Sequence, residues 1–140
     1  MKTKYTILLC AFFLFSANAK KDNIIYFKNE TLDSCYKKPM SPAVQNCMIY
    51  LSTQNKNRYE DEYKEFIQKV TSSKNNLDNY NEFISLIKKA KESWDIYISN
   101  ECLAEGFINE KNSVAFFTDY NSCLATAYEK RINYYKNYQL

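Results

Sequence analysis

The chain has 140 residues, with 19 basic and 16 acidic side chains, five cysteines, one glycine and no histidine. A net charge of +3 is far from the strong basic excess that nucleic-acid binding needs, so no nucleic-acid partner is expected. Without histidine there is no Ser-His, Cys-His or His-metal chemistry, and the lone Gly106 leaves no phosphate-cradling loop and no dinucleotide fingerprint.

Lys2 and Lys4 open the chain, and an apolar run follows from Ile7 to Phe15. Ala17-Asn18-Ala19 then places small residues where a signal peptidase reads them, which predicts a signal peptide over residues 1–19. The run is shorter than the roughly 20 apolar residues of a membrane span, so no integral membrane segment is expected after signal removal. Cys10 lies in this run behind Leu8 and Leu9, where a lipoprotein would carry a small residue. The expected location is periplasmic or secreted. The mature chain then spans Lys20 to Leu140, with 17 basic against 16 acidic residues, and its length fits one domain, residues 20–140.

Four cysteines remain: Cys35, Cys47, Cys102 and Cys123. An even count in an exported chain reads as a disulfide framework. Full oxidation would leave no thiolate for nucleophilic or metal chemistry, and no cofactor is expected.

The segment from Lys20 to Met40 reads as a short helix or an extended lead-in. Ser41-Pro42 then looks like a helix start, with Ser41 as cap and proline in the first turn. Val44, Met48, Leu51, Tyr59, Tyr63, Phe66, Ile67 and Val70 recur at helical spacing, which predicts a long helix from Pro42 to about Thr71. A polar turn follows over residues 72–76. Asp78 or Asn79 can cap a second helix, whose apolar stripe includes Phe83, Ile87, Trp94 and Cys102. It is expected to end near Ala104, with Gly106 in the C-terminal turn. Ser113 can cap a third helix, striped with Phe116, Tyr120, Cys123, Leu124, Ala127, Arg131, Tyr134 and Tyr138. Short loops between long amphipathic helices predict an all-α antiparallel bundle of three main helices. Four cysteines allow three pairings. This layout favours Cys35–Cys47 and Cys102–Cys123, while a crossed arrangement stays open.

Cys35-x11-Cys47, a tyrosine-bearing first helix, Trp94-x7-Cys102 and Cys123-Leu124-x6-Arg131 together resemble the lysozyme inhibitor LprI-like N-terminal domain family of bacterial envelope proteins. Tyr63, Trp94, Tyr97, Leu124 and Arg131 match it, as do all four cysteines. Lys91 stands where the family often has glutamine. Ile98-Ser99 replaces an Arg-Asp pair, Asn112-Ser113 a Gly-Ser, and Tyr128 a threonine. The resemblance implies a helical, disulfide-bonded exported domain, and inhibition of lysozyme in some members. The expected partner is a protein, a lysozyme in the leading reading, with a different envelope toxin or enzyme as the alternative. A carboxylate-dependent hydrolase is disfavoured, because no acid pair is recognisable.

A lysozyme cleft holds two catalytic carboxylates. The segment from Glu105 to Asn112 could enter such a cleft, with Phe107 and Ile108 as apolar anchors and Lys111 reaching an acid. Phe107 and Ile108 could equally cap the bundle. Trp94 and Tyr63 read as core by helical phase, and Arg131 as a half-buried residue in an ion pair. Glu60, Asp61, Glu62 and Glu65 read as a solvated face with Glu60 paired to Lys64, and Lys88, Lys89 and Lys91 as solvated cations. Tyr134, Tyr135 and Tyr138 form either a binding patch or the end of the bundle.

Overall fold

The computed structural model describes residues 27–140. The expected signal peptide lies outside the described residues. Four α-helices follow in order: α1 (Leu32–Tyr36), α2 (Ser41–Ser72), α3 (Tyr80–Gly106) and α4 (Val114–Lys136). A single 3-10 turn, Lys74–Asn76, lies between α2 and α3. The all-α bundle of three main helices is therefore as expected, and the lead-in contributes the short α1.

Cross-helix pairs fix the topology. Ser52 reaches Asn121, Asn55 reaches Ala125, and Arg58 reaches Glu129, so α2 and α4 run in the same direction. Cys102 bonds to Cys123 and Phe83 packs on Tyr138, so α3 runs opposite to α4. The result is up-down-up, with α4 packed closely on both other long helices. α2 and α3 approach each other less closely, and large side chains fill the distance between them.

The core has two parts. Around the middle and far end of α2, Tyr59, Phe66 and Val70 pack with Ile98, Leu124, Tyr128, Ile132 and Tyr135. At the near end, Met48, Leu51 and Ala125 pack around the Cys35–Cys47 disulfide, with Phe27, Leu32 and Val44 alongside. Two buried hydrogen bonds cross from α2 to α4. The Ser52 hydroxyl donates to Asn121 Oδ1 at 2.7 Å, and Asn55 Nδ2 donates to the Ala125 carbonyl at 2.9 Å. They satisfy polar groups that burial would otherwise penalise by about 1–3 kcal/mol each.

The helix ends show both expected and unexpected chemistry. Thr31 caps α1 in a reciprocal box with Ser34, a pairing the Thr-x-x-Ser spacing permits. Ser113 caps α4 by accepting from Phe116 N at 3.1 Å, as expected. Ser41 does not cap α2. It is the first helical residue, Met40 occupies the cap position, and proline's preset φ in the first turn carries the start. Gly106 is not a left-handed C-terminal turn either. It is the last helical residue, and a Cβ there would meet the Phe116 ring at 3.1 Å and the Phe116 carbonyl at 3.2 Å. Glycine lets α3 and α4 converge at this point. The left-handed position falls instead on Asn112, at φ 65°, a residue type that tolerates it.

Both expected disulfides are present, each with a Cα–Cα distance of 5.4 Å. Cys35–Cys47 ties α1 to the second turn of α2, and Cys102–Cys123 ties the end of α3 to α4. The Glu30 carboxylate lies beside the Cys35 and Cys47 sulfurs, but a disulfide offers no thiolate to a metal ion. Replacing Cys102 and Cys123 together by serine is expected to cost about 3 kcal/mol, from the loop-closure entropy restored to the unfolded chain. Thermal unfolding of the two proteins should show a midpoint lower by about 10 °C in the variant.

Candidate functional site

Trp94, Tyr97 and Glu101 follow one another at spacings of three and four, so they share one face of α3. On α4, Cys123, Ala127 and Arg131 recur every four residues beside Ser122 and Thr126. The short side chains on α4 leave room that the large ones on α3 do not fill. The outcome is a groove of about 550 Å³ between the two helices. Trp94 and Tyr97 form one wall, Lys130, Arg131 and Tyr134 the other, and the Cys102–Cys123 linkage braces one end.

Arg131 is held there by rings. Its guanidinium carbon lies 4.4 Å from the centroid of Tyr134, 5.0 Å from Tyr135 and 5.4 Å from Trp94. Such cation–π contacts are worth about 0.5–2 kcal/mol each. The expected ion pair is absent: Arg131 makes no salt bridge with any described residue, and its Nε is buried without a hydrogen-bond partner. The Tyr135 hydroxyl is buried and likewise unpartnered among the described residues. Burial raises its pKa, and the neighbouring Arg131 partly offsets that rise.

Trp94 is half-buried rather than fully enclosed. Its ring stands 5.1 Å from Tyr59 and 5.9 Å from Tyr128, and it also faces the groove. Tyr63, one turn beyond Tyr59 on α2, is half-buried against Tyr135 at 5.5 Å. The C-terminal tyrosines divide their roles. Tyr135 is buried, Tyr138 closes the bundle against Phe66 and Phe83, and Tyr134 is exposed at the groove.

The charged residues depart most from expectation. Lys91 is not a solvated cation: its side chain is 15% exposed, and Nζ donates to Asp95 at 2.8 Å and Glu60 at 3.1 Å. It also lies over the rings of Tyr59 and Tyr63, at 5.0 and 5.3 Å. Glu60 therefore pairs across to α3 instead of with Lys64, which pairs with Asp61 at 2.9 Å. Helical spacing supports both partners equally. The buried ammonium needs an anion far more than the exposed one does. Burial alone would lower the Lys91 pKa, but the bonds from Asp95 and Glu60 outweigh it and raise it. Burial, aided by the hydrogen bond it donates to Asp95 at 2.7 Å, pushes the Tyr59 hydroxyl well above its ordinary value.

Phe107, Ile108 and Lys111 lie on the loop between α3 and α4, just beyond Glu105 at the groove's end. Phe107 packs edge-on against Phe116 at 5.2 Å yet stays 51% exposed, and Ile108 is 82% exposed. Ile108 thus does not cap the bundle. Asn109 Nδ2 donates to Asp119 at 2.7 Å and Ser113 N to the Glu110 carbonyl at 3.0 Å, so the loop is tied to α4. Lys111 is exposed.

A disulfide-stapled three-helix domain with an aromatic groove and an apolar loop has the form of a binding module. A family model for the lysozyme inhibitor LprI matches residues 35–134, from the first cysteine of the fold to Tyr134. The chain belongs to the LprI lysozyme inhibitor family. It matches no curated protein and no solved structure. No described helix is long and apolar enough to cross a membrane.

The raised pKa values set an alkaline limit on stability. Tyr59, Tyr63, Tyr128 and Tyr135 rise from 10.0 and Lys91 from 10.5, so the folded chain holds protons that the unfolded chain releases. Their contribution is complete below about pH 10 and is lost as pH rises further, by proton linkage. Urea midpoints should be level between pH 7 and 9 and fall above pH 10. Tyr59→Phe should soften that fall and cost about 1 kcal/mol at pH 7, by loss of its hydrogen bond to Asp95.

Proposed function

We propose that the chain is an exported protein-binding module, not an enzyme, whose partner is a lysozyme-type muramidase. The loop from Phe107 to Asn112 enters the enzyme's cleft. The observation that carries this reading is the exposure of Ile108, 82%, and of Phe107, 51%, on a loop whose flanking helices are joined by Cys102–Cys123. Two adjacent apolar side chains held in water cost solvation free energy that a partner's cleft would recover. The brace matters as much as the side chains. A loop already tied by its disulfide and by Asn109–Asp119 loses little conformational freedom on binding, which favours affinity. Lys111 supplies a cation of the sign that a cleft with two carboxylates attracts. Membership of the LprI family supports the choice of lysozyme as partner.

The Phe107→Ala, Lys111→Ala double variant should raise the inhibition constant against a sensitive lysozyme by more than about tenfold, the scale of a truncated interface anchor. Its thermal midpoint should fall by only about 5 °C, since Lys111 is exposed and Phe107 loses little beyond its edge contact with Phe116. An unchanged constant would remove this loop as the inhibitory site.

Export belongs to the same reading, since two disulfides suit an oxidising compartment. N-terminal sequencing of the protein recovered from the envelope fraction of its bacterial host should begin at Lys20; an N-terminus still at Met1 would refute processing after Ala19.

A further inference from the structure

We propose that the groove between α3 and α4 is a separate binding site for a small ligand bearing one carboxylate, with Arg131 as its anchor. This site does not rest on the inhibition reading, which concerns the loop. A volume of about 550 Å³ lies in the range that small-molecule pockets occupy, about 300–1,000 Å³.

The argument starts from what Arg131 lacks. A guanidinium carries five donors in a planar fork, and its best partner is a carboxylate gripped by two parallel bonds. Here the guanidinium is stacked among Trp94, Tyr134 and Tyr135, with Nε buried and unpartnered and no carboxylate of the described chain paired to it. The rings hold the fork in place without supplying a carboxylate; the nearby Tyr135 hydroxyl is the polar group that the Arg131 side chain influences most directly. By contrast, two other half-buried cations are paired: Lys91 has two anionic partners and Lys38 has Glu30. The acids that line the groove do not substitute for a ligand. Glu101 accepts from the Tyr97 hydroxyl, and neither Glu101 nor Glu105 forms a salt bridge with Arg131 or Lys130.

The same acids define the ligand further. Lys130 and Arg131 make one wall cationic, while Glu101 and Glu105 make the other anionic. A polyanion would be repelled by the α3 wall. A ligand with one carboxylate fits, provided its opposite end offers donors, either hydroxyl or ammonium, to Glu101 and Glu105. The exposed ring of Tyr97 and the edge of Trp94 favour a ring or an apolar body in between. An acidic sugar and a short peptide with a free C-terminus share this chemistry.

Trp94 is the only tryptophan in the chain and lies in the groove, so its fluorescence reports occupancy directly. The test titrates the oxidised mature protein with glucuronic acid and with glycyl-phenylalanine, each beside a counterpart in which a neutral group replaces the carboxylate, methyl glucoside and glycyl-phenylalanine amide. At least one carboxylate probe should give a saturable change, with its neutral counterpart binding at least roughly tenfold more weakly, the loss expected when a charge-assisted pair is removed. Which acid responds distinguishes the sugar from the peptide source. Arg131→Gln should weaken that binding by about tenfold or more, with Arg131→Lys between the two, because lysine keeps the charge but not the fork. Absence of a saturable change with both acids would overturn the site. So would equal binding of acid and neutral probe, or wild-type affinity in a folded Arg131→Gln protein. Should Arg131→Gln fail to fold, the acid-against-neutral comparison on the unmutated protein decides alone.

Discussion

The packing of Tyr59 is the constraint on which the rest of the bundle depends. Its side chain is the largest of those fully buried. It fills the space between α2 and α3 that helix–helix contact alone does not close. Its ring meets Trp94 from α3 and both Tyr128 and Tyr135 from α4. Its hydroxyl donates to Asp95, which in turn accepts from Lys91, and Lys91 returns over the Tyr59 ring. One residue on α2 thereby positions two elements through packing and a third group through hydrogen bonding. Burying a polar network of this kind is favourable only when every member is satisfied. Lys91, Asp95, Glu60 and Tyr59 meet that condition; Arg131 and Tyr135, a turn further along α4, do not.

The contrast explains which parts of the molecule could be read from the chain. Periodicity of three and four locates a buried stripe, and it located all three long helices because their apolar residues obey it. Cysteine placement at a helix start and at two helix levels was enough to favour the observed pairing. Local rules were weaker. A serine before a proline suggested a cap at Ser41, but the helix began one residue earlier, because capping preference is worth only about 1 kcal/mol and the proline already fixes the backbone. A glycine near a helix end suggested a left-handed turn, but Gly106 answers to the nearness of Phe116 from another helix. That requirement is tertiary and has no local signature.

Charges were least legible for a related reason. Spacing along α2 offers Glu60 a partner in Lys64, and nothing in the local sequence reveals that α3 brings Lys91 to it. The identity of an ion pair is set by which cation is desolvated, and desolvation is a property of the fold. The same holds for Arg131. Its place on an apolar stripe predicted partial burial correctly in direction. The supposed counter-ion did not follow, because aromatic rings from its own helix and from α3 surround it instead. An arginine on a stripe otherwise rich in tyrosine was the available signal.

The groove and the core are therefore one construction. Trp94 presents one side to Tyr59 and Tyr128 and another to the cleft that Arg131 lines. Tyr135 presents one side to Phe66 and Tyr63 and another to the guanidinium. The walls of the groove cannot shift without disturbing rings that hold the bundle together, so the groove keeps its shape in the absence of an occupant. The Cys102–Cys123 bond imposes the same limit at the loop end, where Gly106 allows α3 and α4 to converge. Rigid walls reduce the ordering that binding would require. They also prevent the protein from relieving Arg131 by collapse. Arg131 is half-buried, with Nε enclosed and the rest of its side chain at the groove, so rings hold it in place while no carboxylate of the described residues pairs with it.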